Sequence, residues 1–267
     1  VGAQEMFKFF DRDNNMLVLR PDMTPAVARC VAKYFMDDDM PLRLCYLERT
    51  FKNNTSYQGY LKERAESGAE LIGDDSPDAD AEMIAMVIDC LKAAGLKEFQ
   101  VELGEVAFYR SLLQQSGLDE DAQAQLNDLI ENKNRFGVEE FLKNQDMEES
   151  LKEAFLKLPE LFGGINQIKK AKALTDNPQA LAAIERLERV HTLLEEYHMA
   201  DYVSYDLGML SRYQYYTGII FKAYTYGTGD YIVTGGRYNK LLVQFGKDTP
   251  AVGFAIVVDQ LMAALSR

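Results

Sequence analysis

The chain of 267 residues has no tryptophan, two histidines, three cysteines and no long apolar run. Cys30, Cys45 and Cys90 lie far apart among apolar neighbours. They read neither as a disulfide framework nor, with His191 and His198, as a metal-ligand cluster. The expected compartment is a reducing cytoplasm, and no metal or other cofactor is expected. No stretch approaches the roughly 20 apolar residues of a membrane helix. Val1 to Phe10 shows neither the basic start nor the small-residue cleavage site of a signal peptide. Positive charge is scarce as well: 29 Lys and Arg stand against 42 Asp and Glu, a net charge of −13 with a pI near 4.7. Nucleic-acid binders displace counterions from phosphates with a basic face. No cluster of four or more Lys or Arg occurs here, and the overall field repels RNA and anionic membranes alike. Neither is an expected partner.

Hydrophobic residues at 47% and charged residues at 27% describe an ordinary globular protein, long enough for one large domain or two smaller ones. Met16 to Arg20 and Leu42 to Arg49 read as strands. Between them Thr24 and Pro25 read as an N-cap and first helical residue, ahead of a helix with Val27, Val31 and Phe35 on one face. Lys52 to Gly59 reads as a loop leading to a strand over Glu66 to Gly73. Ser76 and Pro77 open a helix with Ile84, Val87, Ile88 and Leu91 on one face, closed by Gly95. Phe99 to Leu103 is a further strand. From about 105 to 200 the chain is rich in Leu, Ala, Glu, Lys and Gln, and Leu181, Ile184, Leu187, Val190 and Leu194 mark its clearest helix. Strands return at Val203 to Leu207, Gly218 to Tyr226, Tyr231 to Thr234 and Ala251 to Val258, with glycine-rich turns. The expected fold class is α+β: an antiparallel sheet with flanking helices, formed by residues 1–104 and 201–267, and an all-helical insertion over 105–200.

Four segments carry a family resemblance in combination: LRPDMTPAVAR (Leu19 to Arg29), ERAESGAELIG (Glu63 to Gly73), YYTGIIF (Tyr215 to Phe221), and GGRYNKLL with PAVGFAI (Gly235 to Leu242, Pro250 to Ile256). In this order they resemble the catalytic core of class II histidyl-tRNA synthetases. They are more similar still to a paralogous family, the regulatory subunits of ATP phosphoribosyltransferase. The resemblance implies a sheet with one pocket for histidine and one for ATP. In the synthetases two arginines grip the triphosphate, because its charge must be neutralised while pyrophosphate leaves. Here Tyr46 and Gln260 stand at those positions, and Ser211 at that of a further catalytic arginine, with Arg212 one residue late. A one-residue slip on a strand turns a side chain to the other face. The implied consequence is a chain that does not activate histidine and has no catalytic residues.

The amino-acid pocket is better kept. By resemblance Asp22 and Thr24 receive the α-amino group, Glu70 pairs with the imidazole, and Glu66 stands at a position where the family commonly has glutamine. Tyr215, Tyr216, Gly235 and Arg237 complete the implied histidine-binding set. Glu66 and Glu70 are four apart, so a strand presents both on one face. Tyr215 and Tyr216 are expected on opposite faces of their strand, with Tyr216 covering the ring. Each residue also has a structural reading. Thr24 serves as a helix cap, Asp22 as a charge at a helix start, and the glutamates as solvated strand charges. The tyrosines then are strand aromatics, and Gly235, Gly236 and Arg237 are turn or packing residues. The resemblance further implies L-histidine as effector, a short catalytic subunit as partner, and a homodimer within a hetero-oligomer. Neither the family's N-terminal motif 1 nor the synthetases' anticodon-binding domain is found in the sequence, and the second absence fits the regulatory family. The rival readings are a fragment of a divergent histidyl-tRNA synthetase and a stand-alone amino-acid-binding scaffold.

Overall fold

The computed structural model describes residues 3–35, 37–53, 61–210 and 215–266. A short hairpin, β1 (Lys8–Phe10) and β2 (Met16–Val18), leads into helix α1 (Thr24–Tyr34). The long hairpin β3 (Leu42–Phe51) and β4 (Glu63–Ile72) follows, then α2 (Pro77–Ala93) and β5 (Gln100–Glu105). Next come α3 (Val106–Ser116), α4 (Glu120–Glu131), α5 (Arg135–Lys143), α6 (Glu149–Lys157), β6 (Phe162–Gly163), α7 (Asn166–Lys172) and α8 (Pro178–Glu196). The chain ends through β7 (Val203–Asp206), β8 (Ile219–Tyr224), β9 (Val233–Arg237), β10 (Ala251–Val257) and α9 (Val258–Leu265).

One eight-stranded sheet runs β3-β4-β10-β9-β8-β5-β7-β6. The α+β class holds, but the sheet is mixed. Leaving at β5, the chain passes through α3 to α8 and re-enters beside β5 as β7, and these two strands pair in parallel. A parallel pair needs a long crossover, and the helical stretch supplies it. That stretch is not purely helical, since β6 adds two residues to the sheet edge against β7. Its core is continuous with that of the sheet: Ile184, Leu187 and Val190 of α8 belong to one buried cluster with Ile84, Val87 and Ile88 of α2 and with Val101, Phe221 and Val252.

Strand parity separates the two faces. Leu71, Val252, Gly235 and Phe221 point back toward the helices, while Ile72, Ala251 and Ile220 point forward, where α1 and the turn at Leu242–Phe245 cover them with Ala28, Val31, Tyr238 and Leu242. The helix ends follow the sequence in part. Ser76 caps α2, its hydroxyl accepting from the Ala79 N–H at 3.2 Å. Thr24 does not cap α1, for Met23 is the cap residue and the helix begins at Thr24 itself. The Asp22 carboxylate accepts the Thr24 N–H at 3.0 Å, which leaves the Thr24 hydroxyl for another partner.

Candidate ligand-binding site

A forward-facing stripe of glycines forms the floor of a cleft. Gly68 on β4 is opposite Ala255, Gly253 on β10 is opposite both Glu70 and Gly236, and the three glycines leave backbone where side chains would stand. A Cβ on Gly253 would lie 1.6 Å from Glu70 Oε2, and one on Gly68 would lie 2.3 Å from the Tyr46 ring. These strands need glycine there because side chains from neighbouring strands cross over them.

Glu66 and Glu70 project from β4 onto this floor. Glu70 is 1% exposed. Its Oε1 accepts from the Thr24 hydroxyl at 2.9 Å and its Oε2 from the Tyr238 hydroxyl at 2.6 Å. Burial pushes its carboxyl up to about 8, against the opposing pull of those two hydroxyls. Glu66 is also buried and its carboxyl raised, burial outweighing the nearby Lys52 ammonium. Asp22 lies at the rim and accepts from the Tyr215 hydroxyl at 2.9 Å. Tyr46 lies against Gly68, and burial, then the fields of Glu70, Glu66 and Asp22, hold its phenol far above the ordinary range, so it stays protonated.

Tyr215 and Tyr216 precede β8, and neither lies on a strand, so the expected alternation does not apply. Both line the cleft, with ring centroids 4.8 Å apart. The Tyr216 carbonyl is held by Arg110 of α3 at 3.0 Å. The cleft is narrow, about 20 Å³, roughly the room for one water. A larger hollow of about 830 Å³ lies among α6, α7 and the start of α8. Its charged side chains are exposed or paired along the helix surfaces, as in Lys157 with Glu153. The narrow cleft is the one where buried carboxylates converge.

Gly235 and Arg237 do not join this group. In register with Phe254 and Val252, they face the back of the sheet. Gly235 makes room there for the Phe221 ring. The Arg237 guanidinium is buried on Asp80 at 2.7 Å, and Asp80 receives Arg186 of α8 at 2.7 Å from the other side. Arg237 also donates to the Asp74 carbonyl at 2.9 Å and to Asn239 at 3.1 Å.

Residues 1–261 match the family model described as histidyl-tRNA synthetase. An ATP phosphoribosyltransferase regulatory subunit from Acetivibrio thermocellus is 40% identical over 267 residues, covering 100% of this chain and 64% of the relative. One from Thermoanaerobacter pseudethanolicus is 38% identical over 98% of this chain and 69% of its own. The chain belongs to the histidyl-tRNA synthetase-like family of ATP phosphoribosyltransferase regulatory subunits. It is similar in structure to a crystal structure described as an ATP phosphoribosyltransferase regulatory subunit/histidyl-tRNA synthetase from Bacillus halodurans, with a TM-score of 0.91 and 35% identity over 99% of this chain and 69% of that one. The sequence spans about 64% of the length of the first of these regulatory subunits.

Of the positions that the family resemblance singled out, Asp22, Thr24, Glu66, Glu70, Tyr215 and Tyr216 come together around the cleft. Tyr46 stands inside the carboxylate group. Gln260 is half-buried in the first turn of α9 and is not among the lining residues. Ser211 lies outside the described residues. Sequence reasoning passed over Tyr238, Gly253 and Lys52. Parity would have found the first: in the GGRY segment Gly236 and Tyr238 share the cleft face, while Gly235 and Arg237 share the other.

Proposed function

We propose that this protein is a non-catalytic regulatory subunit of ATP phosphoribosyltransferase in histidine biosynthesis. Its cleft binds L-histidine without activating it, and its occupancy modulates a short catalytic subunit in the cytoplasm. The synthetase-like core is residues 1–104 and 201–267, with 105–200 as an insertion, and the chain acts as a homodimer within a hetero-oligomer.

Tyr46 carries this reading. It stands where the synthetases have a triphosphate-gripping arginine, and it supports the loss of ATP chemistry in two ways. A neutral phenol cancels no phosphate charge, and its neighbours Glu70, Glu66 and Asp22 are acids that repel phosphate when ionised and offer it no cation when protonated. The same carboxylates accept from an ammonium and an imidazole N–H. Because the cleft is narrow, histidine enters by displacing the Tyr215 ring from Asp22. Feedback then requires histidine to bind the inhibited assembly more tightly than the active one.

Calorimetric titration with L-histidine, with and without ATP and magnesium, tests the pocket. Binding unchanged by ATP and abolished in Glu70→Ala is the expected result. The regulatory role is tested by adding the protein to its cognate short catalytic subunit, whose rate and histidine response should both change. Strong coupling to ATP, or histidine-dependent pyrophosphate exchange, would establish the synthetase reading instead.

A further inference from the structure

The carboxylates and hydroxyls of the cleft suit the cationic parts of an amino acid, and its carboxylate needs a cation of its own. Asp22, and Glu66 and Glu70 wherever they are ionised, repel a carboxylate. Among the described residues lining the cleft, Lys52 is the one basic side chain. Strand parity brings it there. Tyr46, Glu48 and Thr50 of β3 stand opposite Gly68, Glu66 and Arg64 on the cleft face, and Lys52 follows two residues on. Its N–H bonds the Lys62 carbonyl at 2.9 Å, which carries the pairing one step beyond β3. Its ammonium is close enough to Glu66 to be the main influence opposing the effect of burial there. Two other described cations on this face are engaged elsewhere. Arg64 is buried 3.5 Å from Asp230, and Lys222 lies over the Tyr231 ring at 5.8 Å.

We propose that Lys52 determines the specificity of the cleft by taking the ligand's α-carboxylate, so that the site selects a zwitterionic amino acid over the corresponding decarboxylated amine. The inference rests on the regulatory-subunit reading of the cleft and names the residue that completes it. Glu66 has a defined part in this arrangement. As a carboxylate it competes with the ligand for Lys52, whereas an amide would not.

The test is titration of the full-length protein with L-histidine and with histamine, which differ by the carboxylate alone. The wild-type protein should prefer histidine. In Lys52→Met, histidine affinity should fall roughly tenfold to a hundredfold, the range for a hydrogen bond to a charged group, while histamine affinity is unchanged or improved. Lys52→Arg should keep the preference. Glu66→Gln should move the two ligands in opposite directions, histidine tighter and histamine weaker, which a general loss of structure cannot imitate. If Lys52→Met does not fold by thermal melting, Lys52→Gln and Glu66→Gln decide the matter. A histidine-to-histamine ratio that is unchanged when Lys52 is neutralised overturns this inference and leaves the regulatory reading standing. Binding of neither ligand by the wild-type protein overturns both.

Discussion

The two faces of the sheet each bury carboxylates, and they neutralise them differently. On the back, Asp80 is inaccessible to solvent and receives two guanidiniums, Arg237 from β9 and Arg186 from α8, each at 2.7 Å. On the cleft face Glu70 is equally hidden but receives only neutral hydroxyls, from Thr24 and Tyr238. Charge cancelled within the fold fastens α2, α8 and β9 to one another. Glu70, met by hydroxyls rather than by a guanidinium, is instead neutralised by the proton that burial makes it keep, and a cationic ligand can take that proton's place. On this ground the cleft is the proposed binding site and the Asp80 cluster a structural joint, although both hold a fully buried acid.

Removing the acid separates the two most sharply. Asp80→Ala leaves the buried Arg237 guanidinium with only the exposed Asp75 carboxylate, 3.2 Å away. Stripping one partner from a buried ion pair costs about 3–5 kcal/mol, and the loss should sit near the lower figure because Asp75 still pairs with both arginines and Arg186 keeps 23% of its side chain in water. Glu70→Gln strips no cation of its partner, and its amide can still meet both hydroxyls. Its unfolding free energy from urea titration should stay within about 1 kcal/mol of the wild type. Equal losses in the two variants would erase the distinction between joint and site.

Much of this contrast was legible from residue spacing. Glu66 and Glu70 were assigned to one face by parity alone, and the floor between them follows the same rule. Reading the GGRY segment as a unit puts Arg237 in the cleft, whereas strand alternation divides the segment between faces. Tyr215 and Tyr216 escaped the rule because they precede β8 rather than belonging to it. Thr24 looked like a helix cap because Pro25 follows it. Asp22 takes that duty through the Thr24 N–H, and nothing in the local sequence tells which of two neighbouring acceptors will do so. The parallel pairing of β5 with β7 was hidden for another reason: about a hundred residues separate the strands, and pairing at that distance is decided by packing rather than by local pattern.

Glycines on the two faces offer a smaller and more selective test. Gly253→Ala drives a methyl into Glu70, and Gly235→Ala drives one into the Phe221 ring at 2.4 Å. Overpacking of this kind costs about 1–3 kcal/mol in either place. Only Gly253→Ala should also remove L-histidine binding in the titration, because only there does the displaced group belong to the cleft. Loss of binding in Gly235→Ala at a temperature where that variant remains folded would mean that the faces are coupled through β9 and are not separate.

The smallest effect is a slope of stability with pH. Burial raises the Glu70 carboxyl from its ordinary 4.5 to about 8, so between those values the folded protein holds a proton that the unfolded chain has released. Stability therefore falls as pH rises through this window, is fully present below about 4.5, and levels off above about 8. Glu105 on the back of the sheet is buried with its carboxyl likewise at about 8, and Glu66 is shifted in the same direction, so Glu70→Gln should flatten the slope without abolishing it. Melting temperatures at closely spaced pH values between 5 and 8 give the measurement. Saturating L-histidine should flatten the wild-type slope further, because a cation beside Glu70 favours its ionised form and lowers the pKa that burial had raised. In Glu70→Gln the ligand acts on the slope only through Glu66, so histidine should change its pH dependence much less than that of the wild type. A ligand effect on the slope that survived in Glu70→Gln would place the proton on another group, and Glu66 would be the next to replace.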